Sequence, residues 1–365
     1  MSARETTPGL GTPAKAAPAG SATGSATGTV NKIGLTKQDY KGLPSTMCPG
    51  CGHNSISEGI LAAFYELGIS PYHVVKMSGI GCSSKTPAYF LHSSHGFNAV
   101  HGRMPSVATG ANLANRKLIV LGVSGDGDSA SIGLGQMIHC FRRNVNMVYI
   151  VENNGTYGLT KGQFSATADL DSTDHYGSPN EQAPLDLPMM AIISGCSFVA
   201  RGFSGDRKQM MPLLKAAIAH EGTAFLDIMS PCVTFNDHAG STKSYEYIQE
   251  HDEKLHDIDF IEDKQEIKVD YAEGSVREVR LHDGSLMRLK KLDEDYDPTS
   301  KFQALQVLEK AAQEKEVVTG LCYFDKNRKD QVNALNIVDT PLYQLGERDL
   351  RPTKEDLAAF MKELR

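Results

Sequence analysis

The sequence predicts an α/β protein built on a doubly wound, mainly parallel sheet with a C-terminal extension. Two observations carry that prediction. Strand-sized apolar runs alternate with stretches of helical periodicity from residue 73 to 229, and such alternation implies crossover units that cover both faces of a parallel sheet. The longest runs, residues 118–123 and 147–151, contain no charged side chain, as expected of strands buried on both faces.

The elements follow in order. Residues 1–34 are dominated by Ala, Gly, Ser, Thr and Pro and cannot repay the entropy of ordering, so they read as a disordered tail. Order is expected from Leu35. Ser55-Ile56-Ser57-Glu58 resembles a capping box ahead of Ile60, Leu61, Phe64 and Leu67 at helical spacing, which predicts a helix directly after the Cys48-Pro49-Gly50-Cys51 loop. Strands are predicted at 73–77, 118–124, 147–152, 197–202 and 224–229, with helices at 106–116, 129–143 and 207–220. These elements make a domain of residues 35–245. From 246 to 365 the chain is a charged extension, with an alternating stretch at 269–289 that suits a hairpin around Asp283-Gly284. A helix at 302–316, a strand at 317–324 and a helix at 353–364 close the chain.

Composition excludes several functions. The chain has 365 residues, 40% of them hydrophobic, and a formal charge of -7 from 37 basic and 44 acidic side chains, so no nucleic-acid surface is expected. The apolar runs fall far short of the roughly 20 residues that span a bilayer, and a soluble protein is expected. The seven cysteines are an odd number with no hydrophobic or arginine-rich leader ahead of them, which points to a reducing cytoplasm.

Two signatures carry the chemistry. The buried strand at 118–124 runs straight into Gly125-Asp126-Gly127-Asp128, and the next strand ends in Asn153-Asn154-Gly155-Thr156. Two strands thus bring a carboxylate and an amide oxygen to one edge of the sheet, where Mg2+ takes oxygen ligands and completes its shell with water and diphosphate. The glycines allow close approach, and the helix after Ser129 offers amide hydrogens to phosphate. Separately, each sequence is an ordinary turn. At consecutive strand ends they resemble the thiamine-diphosphate motif, GDG followed by NN, which implies Mg2+ on Asp126, Asn154 and the backbone carbonyl of Thr156.

The second signature is Cys48-x-x-Cys51 with single cysteines further on. Two thiolates on a tight loop suit zinc, an iron-sulfur cluster or dithiol exchange. No thioredoxin-like context or second close pair accompanies them. Cys140, Cys196 and Cys322 lie in apolar or helical runs and read as buried small hydrophobes. Cys82, in Gly79-Ile-Gly-Cys-Ser-Ser-Lys85, and Cys232, in Ser230-Pro-Cys-Val-Thr-Phe-Asn236, lie in loops. The set 48, 51, 82 and 232 is therefore the candidate cluster site, with structural zinc as the alternative.

With both signatures in view, the chain resembles the thiamine-diphosphate-binding beta subunits of 2-oxoacid:ferredoxin oxidoreductases over about residues 36–245. The resemblance is carried in order by CPGCGH at 48–53, GIGCSSK at 79–85, HGR at 101–103, GDGD at 125–128, NNGTYGLTKGQ at 153–163 and SPCVTFN at 230–236. It implies a thiamine-diphosphate-binding α/β fold and one 4Fe-4S cluster on Cys48, Cys51, Cys82 and Cys232. GLTKGQ at 158–163 and the full-length form look most like the 2-oxoglutarate branch, with coenzyme A as cosubstrate and succinyl-CoA as product. A pyruvate or branched-chain preference is the runner-up.

Substrate residues follow from the same resemblance and from charge. Lys85 beside the cluster loop could pair with a second carboxylate, or it is a phosphate or surface lysine. Leu159 matches a position associated with substrate choice. Arg103 is an anion-binding candidate, with His101 beside it near the cofactor, although a structural role for this loop weighs equally. His53 is expected to support the cofactor and cluster through a hydrogen bond behind the cysteines, and His139 to pack or cap within its helix. No glutamate sits in a motif for activating the aminopyrimidine ring, and the resemblance implies that this residue comes from an alpha subunit, in an alpha-beta heterodimer that dimerises, with ferredoxin as acceptor. Two other classes stand beside this reading: a non-redox thiamine-diphosphate decarboxylase with structural zinc, and an electron-transfer module that binds no thiamine diphosphate.

Overall fold

Met147–Asn153 is buried at every residue and Val74–Ser78 likewise, which requires both to lie inside a sheet covered on its two faces. In a computed structural model residues 29–174, 176–235, 267–280, 286–293 and 296–364 are described. Residues 1–28 of the expected tail, the stretch 236–266 and the turn at Asp283-Gly284 lie outside them.

The strands are β1 (Val74–Ser78), β2 (His95–Asn98), β3 (Ile119–Gly125), β4 (Met147–Asn153), β5 (Thr156–Tyr157), β6 (Gln163–Phe164), β7 (Phe198–Phe203), β8 (Thr223–Met229), β9 (Val276–Arg280), β10 (Leu286–Lys291) and β11 (Glu316–Phe324). Nine of them form one sheet in the order β2-β1-β3-β4-β8-β7-β11-β10-β9, and β5 with β6 makes a separate hairpin. Pairing is parallel from β2 through to β7. β11 joins β7 in antiparallel fashion, and β9 is antiparallel to β10.

Alternation along β4 divides the core. Tyr149 and Val151 face a cluster with Met104, Phe141 and Phe225, while Val148 and Ile150 face another with Ile60, Phe64 and Leu214. Each large apolar side chain so buried contributes about 1.5–3 kcal/mol. The covering helices are α1 (Gly52–Leu67), α2 (Met104–Ala114), α3 (Leu134–Arg143), α4 (Leu187–Ile193) and α5 (Arg207–Ala219).

Several expected boundaries move. α1 begins at Gly52 with Cys51 as its N-cap, not at the Ser55 box, because the turn from Cys48 O to Cys51 N (3.2 Å) already sets the helical direction. A side chain at Gly52 would press into Ser204 and Ser230. The helix expected at 129–143 divides into a π-helical turn, Gly127–Ile132, and α3. Order begins ahead of Leu35: Asn31 Nδ2 donates to Tyr40 Oη (2.8 Å) and Tyr65 O (3.0 Å), and Tyr65 Oη donates to Thr29 O (2.8 Å).

The extension is continuous with the sheet. β11 supplies the antiparallel neighbour of β7, and the following pair places Lys291 Nζ 3.0 Å from buried Asp206. The helix Lys301–Gln313 lays Ala304, Leu308 and Ala311 on the same cluster as Phe141. β9 and β10 flank the expected turn as predicted.

Candidate functional site

β3 and β4 are parallel neighbours with Gly125 opposite Glu152, so the Gly-Asp-Gly and Asn-Asn halves of the first signature emerge at one sheet edge, the position at which such folds bind ligands. Asp126, 1% exposed, accepts a 2.7 Å hydrogen bond from Thr167 Oγ1 and another from Ser165 Oγ. The Asn154 amide reaches its other oxygen at 3.4 Å. Burial raises the Asp126 pKa, against the pull of these donors. Asn154 Oδ1 in turn accepts from Thr156 N at 3.2 Å, which holds the amide oxygen in place.

The adjacent residues support this edge. Asn153 turns away from the cavity: its Nδ2 donates to Asp227 Oδ1 (2.9 Å) and its Oδ1 accepts from Thr167 Oγ1 (3.0 Å). Asp128 accepts from Gly102 N (2.7 Å) and Ser124 Oγ (2.6 Å), so it pins the His101-Gly102-Arg103 loop to β3. Tyr157 Oη donates to Gly127 O over 2.9 Å and closes the hairpin over the glycine.

The cysteine loops reach the same place. One cavity is lined by His53, Cys82, Asp126, Glu152, Asn154, Thr156 and Gly158, together with both glycines of the Gly-Asp-Gly turn. A Cβ added at Gly158 would stand 3.4 Å from Cys82 Sγ and 3.7 Å from Cys232 Sγ, so this glycine leaves room where two of the sulfurs meet. Thr234 Oγ1 donates to Cys48 Sγ at 3.5 Å, bringing the loop of Cys232 to the Cys48 loop. Burial pushes the Cys51 thiol up to about 12 and raises Cys82 and Cys232 as well. Cys140, Cys196 and Cys322 are buried elsewhere, as expected of packing residues. Among the described residues, no three His, Cys, Asp or Glu side chains stand close enough to share a single metal ion.

His53, 1% exposed, shares a 2.6 Å hydrogen bond with Ser230 Oγ through Nδ1 and approaches Glu152 Oε2 at 3.7 Å through Nε2. Burial lowers its pKa to about 4 and raises that of Glu152 well above its ordinary value. The substrate candidates lie outside the cavity lining. Lys85 is half-buried in the 3-10 turn Ser83–Ala88, Arg103 and His101 are exposed at the start of α2, and Leu159 is 52% exposed.

Sequence reading missed Glu152, Ser165, Thr167, Tyr157 and Ser230. Ser165 and Thr167 lie in no motif and reach Asp126 only because the β5–β6 hairpin folds back. Glu152 was legible as a charged residue at the end of an otherwise apolar strand.

Residues 79–228 match the family described as "Thiamine pyrophosphate enzyme, C-terminal TPP binding domain". The chain is 44% identical over 191 residues to the 2-oxoacid:ferredoxin oxidoreductase subunit beta of Saccharolobus solfataricus, covering 52% of this chain and 63% of that one. It is 41% identical over 217 residues to the subunit of the same name from a Sulfolobus species, covering 59% of this chain and 69% of that one. Among solved structures, the 2-oxoglutarate:ferredoxin oxidoreductase of Magnetococcus marinus, with 2-oxoglutarate, coenzyme A and succinyl-CoA bound, superposes with a TM-score of 0.68 at 29% identity, over 91% of this chain and 96% of that chain.

Proposed function

This chain belongs to the beta-subunit family of 2-oxoacid:ferredoxin oxidoreductases, and from that premise we propose that it is the beta subunit of a 2-oxoglutarate:ferredoxin oxidoreductase. The reaction joins 2-oxoglutarate and coenzyme A as succinyl-CoA and CO2, with two electrons leaving one at a time to ferredoxin. The observation that carries the reading is a single cavity whose lining includes Asp126 and Asn154 together with Cys82 and Gly158. Diphosphate chemistry and thiolate chemistry thereby share one space. The 2-oxoglutarate branch is supported by the likeness to the Magnetococcus enzyme and by the GLTKGQ stretch.

The residues fit the implied groups. Asp126, Asn154 and the Thr156 carbonyl are an all-oxygen set of the kind that takes Mg2+ with diphosphate. Cys48, Cys51, Cys82 and Cys232 are the thiolates for one 4Fe-4S cluster. Both groups bring part of their own shell, as diphosphate oxygens or as inorganic sulfide, so neither requires three side chains packed on one ion.

When bound, thiamine diphosphate supplies the electron sink for cleavage beside the carbonyl. The chain supplies position. Ser165 and Thr167 orient the Asp126 carboxylate, Thr156 N orients the Asn154 amide, and the buried setting keeps water from the reacting end. Lys85, Arg103 and Leu159 remain the substrate-side candidates; none lines the cavity, so a substrate pocket built on them needs a partner surface to complete it. The activating glutamate is assigned to an alpha subunit, in an alpha-beta assembly that dimerises.

The test is anaerobic co-purification with the partner, followed by iron and thiamine analysis and coenzyme A-dependent viologen reduction. We expect about four irons per beta chain and a preference for 2-oxoglutarate over pyruvate. Activity with pyruvate alone would move the chain to the other branch, and a colourless preparation containing zinc would reject the redox reading.

A further inference from the structure

Glu152 is fully buried, and its Oε1 has no hydrogen-bond partner among the described residues. A buried polar atom left unpaired costs about 1–3 kcal/mol, so its retention calls for a reason. Its other oxygen lies 3.5 Å from Thr86 Oγ1 and 3.7 Å from His53 Nε2. His53 continues to Ser230 at 2.6 Å. Thr86 follows Cys82 on the same 3-10 turn, His53 follows Cys51 at the start of α1, and Ser230 precedes Cys232. One carboxyl group therefore touches, directly or through one imidazole, three of the loops that carry cysteines.

Glu152 also lines the cavity that Asp126, Asn154 and Cys82 line. A diphosphate held at Asp126 and Asn154 would leave the rest of its cofactor to the cavity that Glu152 and Cys82 share with them. On the premise of the function proposed above, we propose that Glu152 is a positioning residue whose free oxygen takes its missing polar partner from the ring end of bound thiamine diphosphate. Through His53, the same side chain fixes the cysteine loops around that ring.

The experiment compares two ligands in the purified alpha-beta complex stripped of cofactor: thiamine diphosphate with Mg2+, and inorganic pyrophosphate with Mg2+, which occupies the phosphate end and has no ring. Calorimetry gives both affinities for wild type, Glu152→Met and Glu152→Gln. In Glu152→Met the affinity for thiamine diphosphate should fall about tenfold, as supporting hydrogen-bond partners of bound groups do, with pyrophosphate affinity unchanged; Glu152→Gln, which keeps an acceptor, should restore most of the loss. Equal weakening of both ligands would reduce Glu152 to a structural residue, and no change in either would remove it from the site.

Infrared difference spectra of the folded wild-type complex make the result independent of variant folding. A carboxyl band absent from Glu152→Gln should shift when thiamine diphosphate binds and stay fixed when pyrophosphate binds. A band that responds to neither ligand overturns the assignment. Wild-type complex that binds pyrophosphate and no thiamine diphosphate would overturn the parent reading, and this one with it.

Discussion

The side-chain amide of Asn153 donates to Asp227 over 2.9 Å, and the other oxygen of Asp227 accepts from Arg201 Nε at the same distance. Arg201 also reaches Asp186 at 2.8 Å. A buried ion network on β7 and β8 thus ends behind the candidate cofactor edge, one residue from Asn154. Burial raises the Asp227 pKa while Arg201 opposes the shift, and the two carboxylates hold the Arg201 pKa above its ordinary value.

Removing the arginine leaves Asp227, which is fully buried, without its cation. Arg201→Met should therefore cost roughly 3–5 kcal/mol, the usual penalty for breaking a buried pair from one side. Urea denaturation of the complex would measure it. An unchanged midpoint would mean that the network is redundant with the packing around it.

Asn153 and Asn154 are adjacent and have different tasks. Asn154 lines the cavity, and Asn153 turns back to Asp227. Asn154→Ala should lower Mg2+-dependent thiamine diphosphate affinity at least about tenfold with little change in stability. Asn153→Ala should show the reverse order, stability first. Calorimetry and urea titration on the same preparations separate the two.

The cysteines divide in the same way. Cys82 Sγ lies near Gly158 and Cys232 Sγ at the cavity, whereas Cys140 is buried between α3 and the sheet, 3.5 Å from Met147 Sδ. Cys82→Ser should abolish the visible absorption and the iron content of the complex, and Cys140→Ser should retain both. Iron quantification decides, and loss of iron in both variants would point to misfolding in place of ligation.

How much of this was legible follows from what each residue contacts. β3 and β4 are continuous apolar runs because both faces are covered, so their ends, and with them Asp126 and Asn154, were readable. β2 was not, since His95–Asn98 is exposed at every position and pairs with β1 at the edge of the sheet. α4 escaped because seven residues carry too little periodicity; its cap at Asp186 and the proline at its second position are local signals that now explain it. Ser165 and Thr167 act on Asp126 across a hairpin, a contact made by tertiary folding and invisible to spacing.

A last prediction concerns pH away from the site. His220 packs against Phe198 and Phe324 with ring centroids at 5.5 and 5.6 Å, and its Nε2 shares a 2.7 Å hydrogen bond with Ser197. Burial lowers its pKa from 6.5 to about 4, against the opposing pull of Asp325. Between those values the unfolded chain binds a proton that the folded chain refuses, so the contribution of His220 to stability is complete above 6.5 and is lost as pH falls toward 4. Below that the ring is protonated in both states and no further loss follows. His220→Gln can keep the bond to Ser197 and cannot titrate, so its urea midpoint should decline less steeply than that of wild type across the same window. Parallel declines would assign the acid sensitivity to other groups.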